Sequence, residues 1–337
     1  SRSGVRAMLQ QSKVLLQQGV DWNPCGVLER RPEQNLGLPA GWEQSPGADW
    51  SQAASAPTLQ AAGLAQDTPA CWHAKAGWVQ PARLVRALLA QPGIEWCPRK
   101  SVARLQRSPA TDSAATGDST ATGIWQALDD HGHTIAEAEC VVLTAGPACN
   151  ALLAASSAPT LPLQSVRGQL SWGRQDTGAA ALPPFPVNGN GGLVAHVQRD
   201  AGLAWHMGST FERDVDALPL TSAEVAAAHA TNWRRLQELL PNAAPTLQAA
   251  FASTSPSDSA AVRAWASVRC TATDRLPIVG PVDAQTLPGL WVCTAMGARG
   301  LTRAVLCGEL LAALVNAEPL PLDARLTRAM GTARLEK

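Results

Sequence analysis

Apolar positions recur along this chain with two different periods. In "GVRAMLQQSKVLLQQG" they fall at Val5, Leu9 and Leu16 before a stop at Gly19, which predicts an amphipathic helix. "TSAEVAAAHATNWRRLQELLP" carries the stripe Val225, Trp233, Leu236 and Leu240 between a Thr221/Glu224 capping box and Pro241, and predicts a second. His229 falls on that stripe and reads as a packed helix histidine rather than a catalytic base. "GWVQPARLVRALLAQPG" predicts a turn and a helix over about 81–90, with Pro81 where its missing N–H costs nothing.

Between these helices the pattern shifts toward strands. "SVRGQLSWG", "NGGLVAHVQ" and "LAWHMGSTF" are short and separated by turn residues, which predicts an antiparallel sheet. "VDWNPCGVLERR" reads as a strand and "IEWCPRKSVARLQR" as a broken one, while residues 45–68 read as loop or weak helix. The low-complexity "SPATDSAATGDSTATG" is expected to be a hairpin tip between the arms "VARLQR" and "IWQALDD". "AECVVLTAGPACNALLA" and "GLWVCTAMGARGLTRAVLCGELLAALVNAEP" each join an apolar run to a glycine turn and a helix, as a parallel strand of an α/β sheet does.

The fold class expected is therefore mixed α/β, with two interleaved domains. Residues 71–160 and 276–337 are assigned to a nucleotide-cofactor domain, and residues 1–70 and 161–275 to an antiparallel substrate domain. If residues 141–143 and 291–293 lay in different sheets, this assignment would fail.

Composition narrows the classes. The 337 residues are 46% hydrophobic and 16% charged with formal net charge zero, so the chain is globular and has no overall attraction for polyanions. Basic residues gather at Arg83, Arg86, Arg99, Lys100, Arg104 and Arg107, a pattern more typical of a solvated face than of a partner site. Eight cysteines show no CxxC and no zinc spacing, so no metal is expected and the thiols read as buried hydrophobes of a reduced compartment. No apolar run approaches membrane-spanning length and no signal peptide is visible, which points to the cytoplasm. The opening "SRSGVRAMLQQ" reads as the middle of something longer.

Two positions carry candidate chemistry. Arg269, in "WASVRCTATDRLPIVG", is either a solvent-side residue of a half-buried strand or a carboxylate anchor whose guanidinium offers two parallel donors. Gly297 and Gly300 flank Arg299 at the start of a helix, whose free N–H groups would suit a phosphate or an electron-rich ring edge. An ordinary βα turn is the alternative. Ala304, Gly308 and Ala312 leave one face of that helix nearly bare.

"GWVQPARLVRALL", "VVLTAGPAC", "VRGQLSW", "HMGSTFERD", "VRCTATDRLPIVG" and "MGARGLTRAVLCGELLA" occur in the order found in FAD-dependent amine oxidoreductases of the D-amino-acid-oxidase and glycine-oxidase type, which the chain resembles over nearly its whole length. More narrowly, "DWNPCGVLERR", the Arg-Cys pair Arg269–Cys270 in "VRCTATDRLPIVG", and "GARGLTRAVLCGELLAALVNAEPLPL" resemble the C-terminal oxidase half of the bifunctional tRNA wobble-uridine enzymes of the MnmC family. That resemblance implies FAD as cofactor, tRNA as substrate, a methyltransferase half upstream, and removal of the carboxymethyl group from 5-carboxymethylaminomethyl uridine. It implies that Arg269 anchors the substrate carboxylate, with Gly168 and Gln169 lining the pocket. Gly297, Ala298, Arg299, Gly300, Leu301 and Thr302 would lie against the flavin ring, with Arg299 offsetting charge on it. Ala145 and Gly146 would approach the dinucleotide and Val102 the adenine.

The sequence departs from the family in lacking the GxGxxG turn and acidic residue of its first βαβ unit. The fold expected is thus a Rossmann-like FAD domain without that unit, and these residues alone are expected to bind FAD weakly or not at all and to lack oxidase activity unless an upstream segment is supplied. The alternatives are an oxidase of free glycine, sarcosine or D-amino acids, and a truncated, non-catalytic fragment.

Overall fold

The computed structural model describes residues 1–31, 38–44, 46–108, 123–175, 182–199, 202–253 and 260–335. The chain divides into two compact units. The first comprises Ser1–Met8, Leu89–Val166 and Arg269–Lys337, the second Leu9–Leu88 and Arg167–Val268. The class is mixed α/β, as the alternation of patterns predicts.

The first unit holds two three-stranded sheets. In one, Val141–Leu143 runs parallel to Leu290–Thr294 with Trp291 opposite Val142, and Ile278–Pro281 pairs antiparallel on the other edge. The apolar runs form the core: Leu143, Ile278, Leu290 and Val292 are buried together, each contributing about 1.5–3 kcal/mol by burial. Val279 packs with Cys307 and Leu310 of the Gly300–Val315 helix.

The other sheet joins Arg104–Arg107, Trp125–Leu128 and Thr134–Ala138, all antiparallel. Its first two strands are the hairpin arms read from the sequence, and tip residues 109–122 lie outside the described residues. Trp125 donates from its indole N–H to the Pro288 carbonyl at 2.9 Å. The broken strand shortens to Arg104–Arg107, because Pro98 lacks a donor and Arg99 takes a positive φ of 59°.

The second unit is built on a nine-stranded sheet. Its order runs Glu212–Arg213, Leu163–Arg174, Gly202–Gly208, Gly191–Arg199, Val187–Gly189, Val27–Arg30, Ala70–His73, Gln52–Ala53, and Arg263–Ala272 also pairs with Leu163–Arg174. Along that order the pairings are antiparallel with one exception, Val187–Gly189 beside Val27–Arg30, which is parallel. The sheet is therefore mixed rather than purely antiparallel. The strand expected over 20–31 is two, Trp22–Asn23 and Val27–Arg30, with Pro24 in the break.

The Ser222–Leu239 helix covers one face of this sheet. Thr221 and Glu224 form the reciprocal capping box at its start, and Arg30 donates to the Glu238 and Leu239 carbonyls at its end, both at 2.6 Å. Its buried line is Ala228, Asn232, Leu236 and Leu239, so Val225 and Trp233 flank the core rather than define it. Residues 45–68 include a short helix, Ala56–Ala61, capped by Ser55. Among the described residues no helix is long and apolar enough to cross a membrane.

Candidate functional site

Two parallel neighbouring strands of the first unit end in glycine turns at the same sheet edge. Val141–Leu143 leads through Ala145 into Gly146, at φ 61°, and then the Cys149–Ala155 helix. Leu290–Thr294 leads through Ala295 and Met296 into Gly297, also at φ 61°, and then the Gly300–Val315 helix. The carboxyl ends of adjacent parallel strands are where α/β sheets bind ligands, because backbone N–H groups and helix N-termini converge there.

The end of the Arg263–Ala272 strand lies against both turns. Thr271 bridges Met296 backbone to backbone, and Cys270 faces Gly146, where a Cβ would stand 3.6 Å from the cysteine Cβ. The buried Thr294 hydroxyl donates to the Cys270 sulfur at 3.8 Å. Arg269 is the next residue along this strand, so the fold carries it to the glycine turns. It is half-buried, and that burial lowers its pKa from the ordinary arginine value. A guanidinium withdrawn from water in this way is suited to a charged partner more than to a solvent face.

The first turn of the Gly300–Val315 helix is electropositive. Arg299 at its N-cap position makes no side-chain capping bond, and no acidic residue occupies the first turn. Arg303, whose pKa is lowered by burial and then by the Arg299 charge, donates to the Arg275 carbonyl at 2.9 Å. An uncapped helix start flanked by two guanidiniums fits the electron-rich pyrimidine edge of a flavin. Ala298, Arg299 and Leu301 are exposed; Gly297, Gly300 and Thr302 are half-buried. Val102 packs on the core of this same unit.

Gly168 and Gln169 belong to the second unit, on Leu163–Arg174. Gln169 is fully buried and turned toward the Ser222–Leu239 helix: its side-chain amide donates to the Val225 carbonyl at 3.2 Å, and its own carbonyl accepts from Asn232 at 3.1 Å. Its backbone N–H donates to the Thr210 hydroxyl at 2.9 Å, and its carbonyl also accepts from the Thr210 N–H at 3.1 Å. His229 shares a 2.7 Å hydrogen bond with Ser171, stands edge-on to Phe251, and has its pKa lowered by burial, as a packed helix histidine does. It borders a cavity of about 1220 Å³ between this helix and Ala244–Ala252, and none of the sequence-predicted site residues lines that cavity.

Cys270 carried part of the resemblance as the partner of Arg269 in the Arg-Cys pair, whereas Thr271 and Thr294 were not singled out from the sequence. Thr271 follows from the strand that carries Arg269, and Thr294 needs the sheet register to be found.

Residues 4–314 match the family model of FAD dependent oxidoreductases. The chain is 51% identical over 347 aligned residues to a protein of Verminephrobacter eiseniae named tRNA 5-methylaminomethyl-2-thiouridine biosynthesis bifunctional protein MnmC, covering 99% of this chain and 54% of that one. A Thiobacillus denitrificans protein of the same name is 33% identical over 94% of this chain and 46% of its own length. The chain thus spans about half the length of the curated relatives it matches. Among solved structures it is similar to glycine oxidase from Geobacillus kaustophilus, with TM-score 0.67 and 17% identity over 96% of this chain and 80% of that one. L-proline dehydrogenase from P. horikoshii aligns with TM-score 0.67 and 13% identity, over 99% of this chain and 82% of that one. At these identities the likeness is one of fold.

Proposed function

The chain belongs to the FAD dependent oxidoreductase family, and from that premise we propose that it is the oxidase half of a tRNA-modifying enzyme. The reaction is oxidative removal of the carboxymethyl group from 5-carboxymethylaminomethyl (2-thio)uridine at the tRNA wobble position, which leaves aminomethyl uridine. The observation that carries this reading is 51% identity across 99% of the chain to proteins named for 5-methylaminomethyl-2-thiouridine biosynthesis. A methyltransferase half is expected elsewhere in the full protein, and the cytoplasm, where tRNA resides, is its proposed location.

The first unit is read as the cofactor domain and the second as the substrate domain. Gly297, Gly300, Leu301 and Thr302 would hold the flavin ring by backbone, Arg299 would offset negative charge on it, and Ala145, Gly146 and Val102 would serve the dinucleotide. FAD, when bound, supplies the acceptor for a hydride, the proton and two electrons of a C–H bond next to an amine.

Arg269 does the orienting. The substrate's reactive unit is an N-substituted glycine, a secondary amine one carbon from a carboxylate. A guanidinium that takes both carboxylate oxygens fixes the methylene between carboxylate and amine, and positioning of this kind supplies much of the catalysis. Loss of hydride from that methylene leaves a carbon–nitrogen double bond. Water adds to the carbon, the carbon–nitrogen bond breaks, and glyoxylate departs from the free aminomethyl group. No side-chain nucleophile is needed.

The test is glyoxylate release by flavin-loaded protein from tRNA carrying the carboxymethylated nucleoside, with the matching loss of mass from that nucleoside. Release from free glycine or sarcosine and none from the tRNA would overturn the reading in favour of a free amino acid oxidase.

A further inference from the structure

One face of the second unit's sheet carries a ladder of indole and guanidinium groups. Trp172 stands opposite His206 on the neighbouring strand, their rings 6.2 Å apart and 17° from parallel. The Arg199 guanidinium lies over the Trp172 ring at 4.1 Å and that of Arg263 at 5.3 Å. Strand alternation puts Trp265 on the same face as Arg263, and Arg174 on the same face as Trp172. This is the face opposite Ser171, which bonds His229 of the covering helix.

Three features separate this ladder from ordinary packing. Trp265 is 57% exposed, and Arg174, Arg199 and Arg263 are exposed as well. Among the described residues no carboxylate pairs with any of the three arginines. Two guanidiniums share one indole although they repel each other, which gathers positive charge over that ring among the described residues. His206 adds no charge: burial, and then the Arg199 charge, lower its pKa to about 4.

We propose that this face binds an unpaired run of RNA nucleotides, of the kind an RNA loop presents. Bases stack on Trp265 and on the outer planes of the Arg199 and Arg263 guanidiniums, and phosphates meet Arg174. The chemistry is that of single-strand recognition: flat π faces take any base, guanidiniums held flat by an indole extend the platform, and the charge follows the backbone. A duplex offers no unstacked base and fits the ladder poorly. The inference deepens the tRNA reading above and rests on it, since it gives the surface on which a wobble-position loop is held.

The experiment measures binding of a fluorescent hairpin RNA with an unpaired loop, and of a fully paired duplex of equal length, by anisotropy over a range of salt. Trp265→Ala is expected to weaken hairpin binding about 10-fold and duplex binding much less. Arg174→Ala, which removes the phosphate contact, is expected to lower the hairpin's salt slope by about 1. The Arg199→Lys/Arg263→Lys pair keeps the charge, so it should hold the salt slope while losing the preference for the loop. Thermal melts matching the wild type show that the variants are folded; should an alanine variant melt early, the lysine pair decides. Wild-type-like hairpin binding by the folded variants overturns the surface and leaves the tRNA reading intact. A wild-type protein that binds neither RNA overturns both.

Discussion

Gly4 and Thr302 meet backbone to backbone: a Cβ placed on Gly4 would collide with the Thr302 carbonyl oxygen. Gly4 lies in the Arg2–Leu15 helix and Thr302 in the first turn of Gly300–Val315, the turn assigned to the flavin ring. Gly4→Ala must push one helix away from the other. The expected cost is about 1–3 kcal/mol, as for overpacking elsewhere. Urea titration reads that loss, and a changed flavin absorbance spectrum in loaded protein would report movement of the turn itself. A variant with wild-type stability would show that the two helices separate freely.

Arg269→Lys keeps the charge and loses the paired donors. A charge-assisted hydrogen bond contributes about 1.5–3 kcal/mol, so kcat/KM for the carboxymethylated substrate should fall by about 10- to 100-fold, with flavin affinity unchanged. Steady-state kinetics beside flavin titration separate the two effects. Unaltered kinetics would return Arg269 to a solvent-face role.

What the sequence made legible followed short-range rules. The Thr221/Glu224 box, the Pro81 start and the two strand–glycine–helix runs each depend on residues within one or two turns, and each is where the spacing put it. Burial on the Ser222–Leu239 helix was less legible, because which of its apolar residues face the sheet depends on Trp205 and Met207, far off in the chain. The parallel pairing of Val187–Gly189 with Val27–Arg30 and the Trp172 ladder, whose two guanidiniums come from different strands, have no local signal. At the candidate site Arg269 was visible as a lone cation in an apolar run. Its approach to Gly146 and Gly297 through Cys270 and Thr271 required the sheet register.

Glu224 should set part of the acid limb of stability. Its pKa is lowered to about 2, first by the Thr221 backbone N–H and then by Arg167. A carboxylate with a depressed folded-state pKa favours the native state above its unfolded value, and that contribution disappears as pH falls through the folded value. The urea midpoint of the wild type should therefore be steady above about pH 5 and decline between there and about pH 2. Glu224→Gln should lower the midpoint at neutral pH and flatten this decline. An equally steep decline in the variant would assign the acid limb to other carboxylates.

Gly146 and Gly297 adopt the same backbone conformation, φ 61°, in different surroundings, so alanine at the two positions separates strain from crowding. Each substitution pays the left-handed penalty of about 1–2 kcal/mol. At Gly146 the new Cβ would sit 3.6 Å from the Cys270 Cβ, an ordinary contact, whereas at Gly297 it would sit 3.2 Å from the Thr271 hydroxyl and 3.6 Å from the Thr271 Cβ. The Thr271 hydroxyl is tied to the Ala272 carbonyl at 3.2 Å and its backbone is bridged to Met296, so clearing the new Cβ strains the strand that carries Arg269. Gly297→Ala should therefore be the less stable variant and should also raise KM for the carboxymethylated substrate, while Gly146→Ala loses stability with little change in KM. Denaturation curves and steady-state kinetics on both proteins check the ordering. Equal losses on both measures would mean that Thr271 moves aside and that the strand does not couple the turn to Arg269.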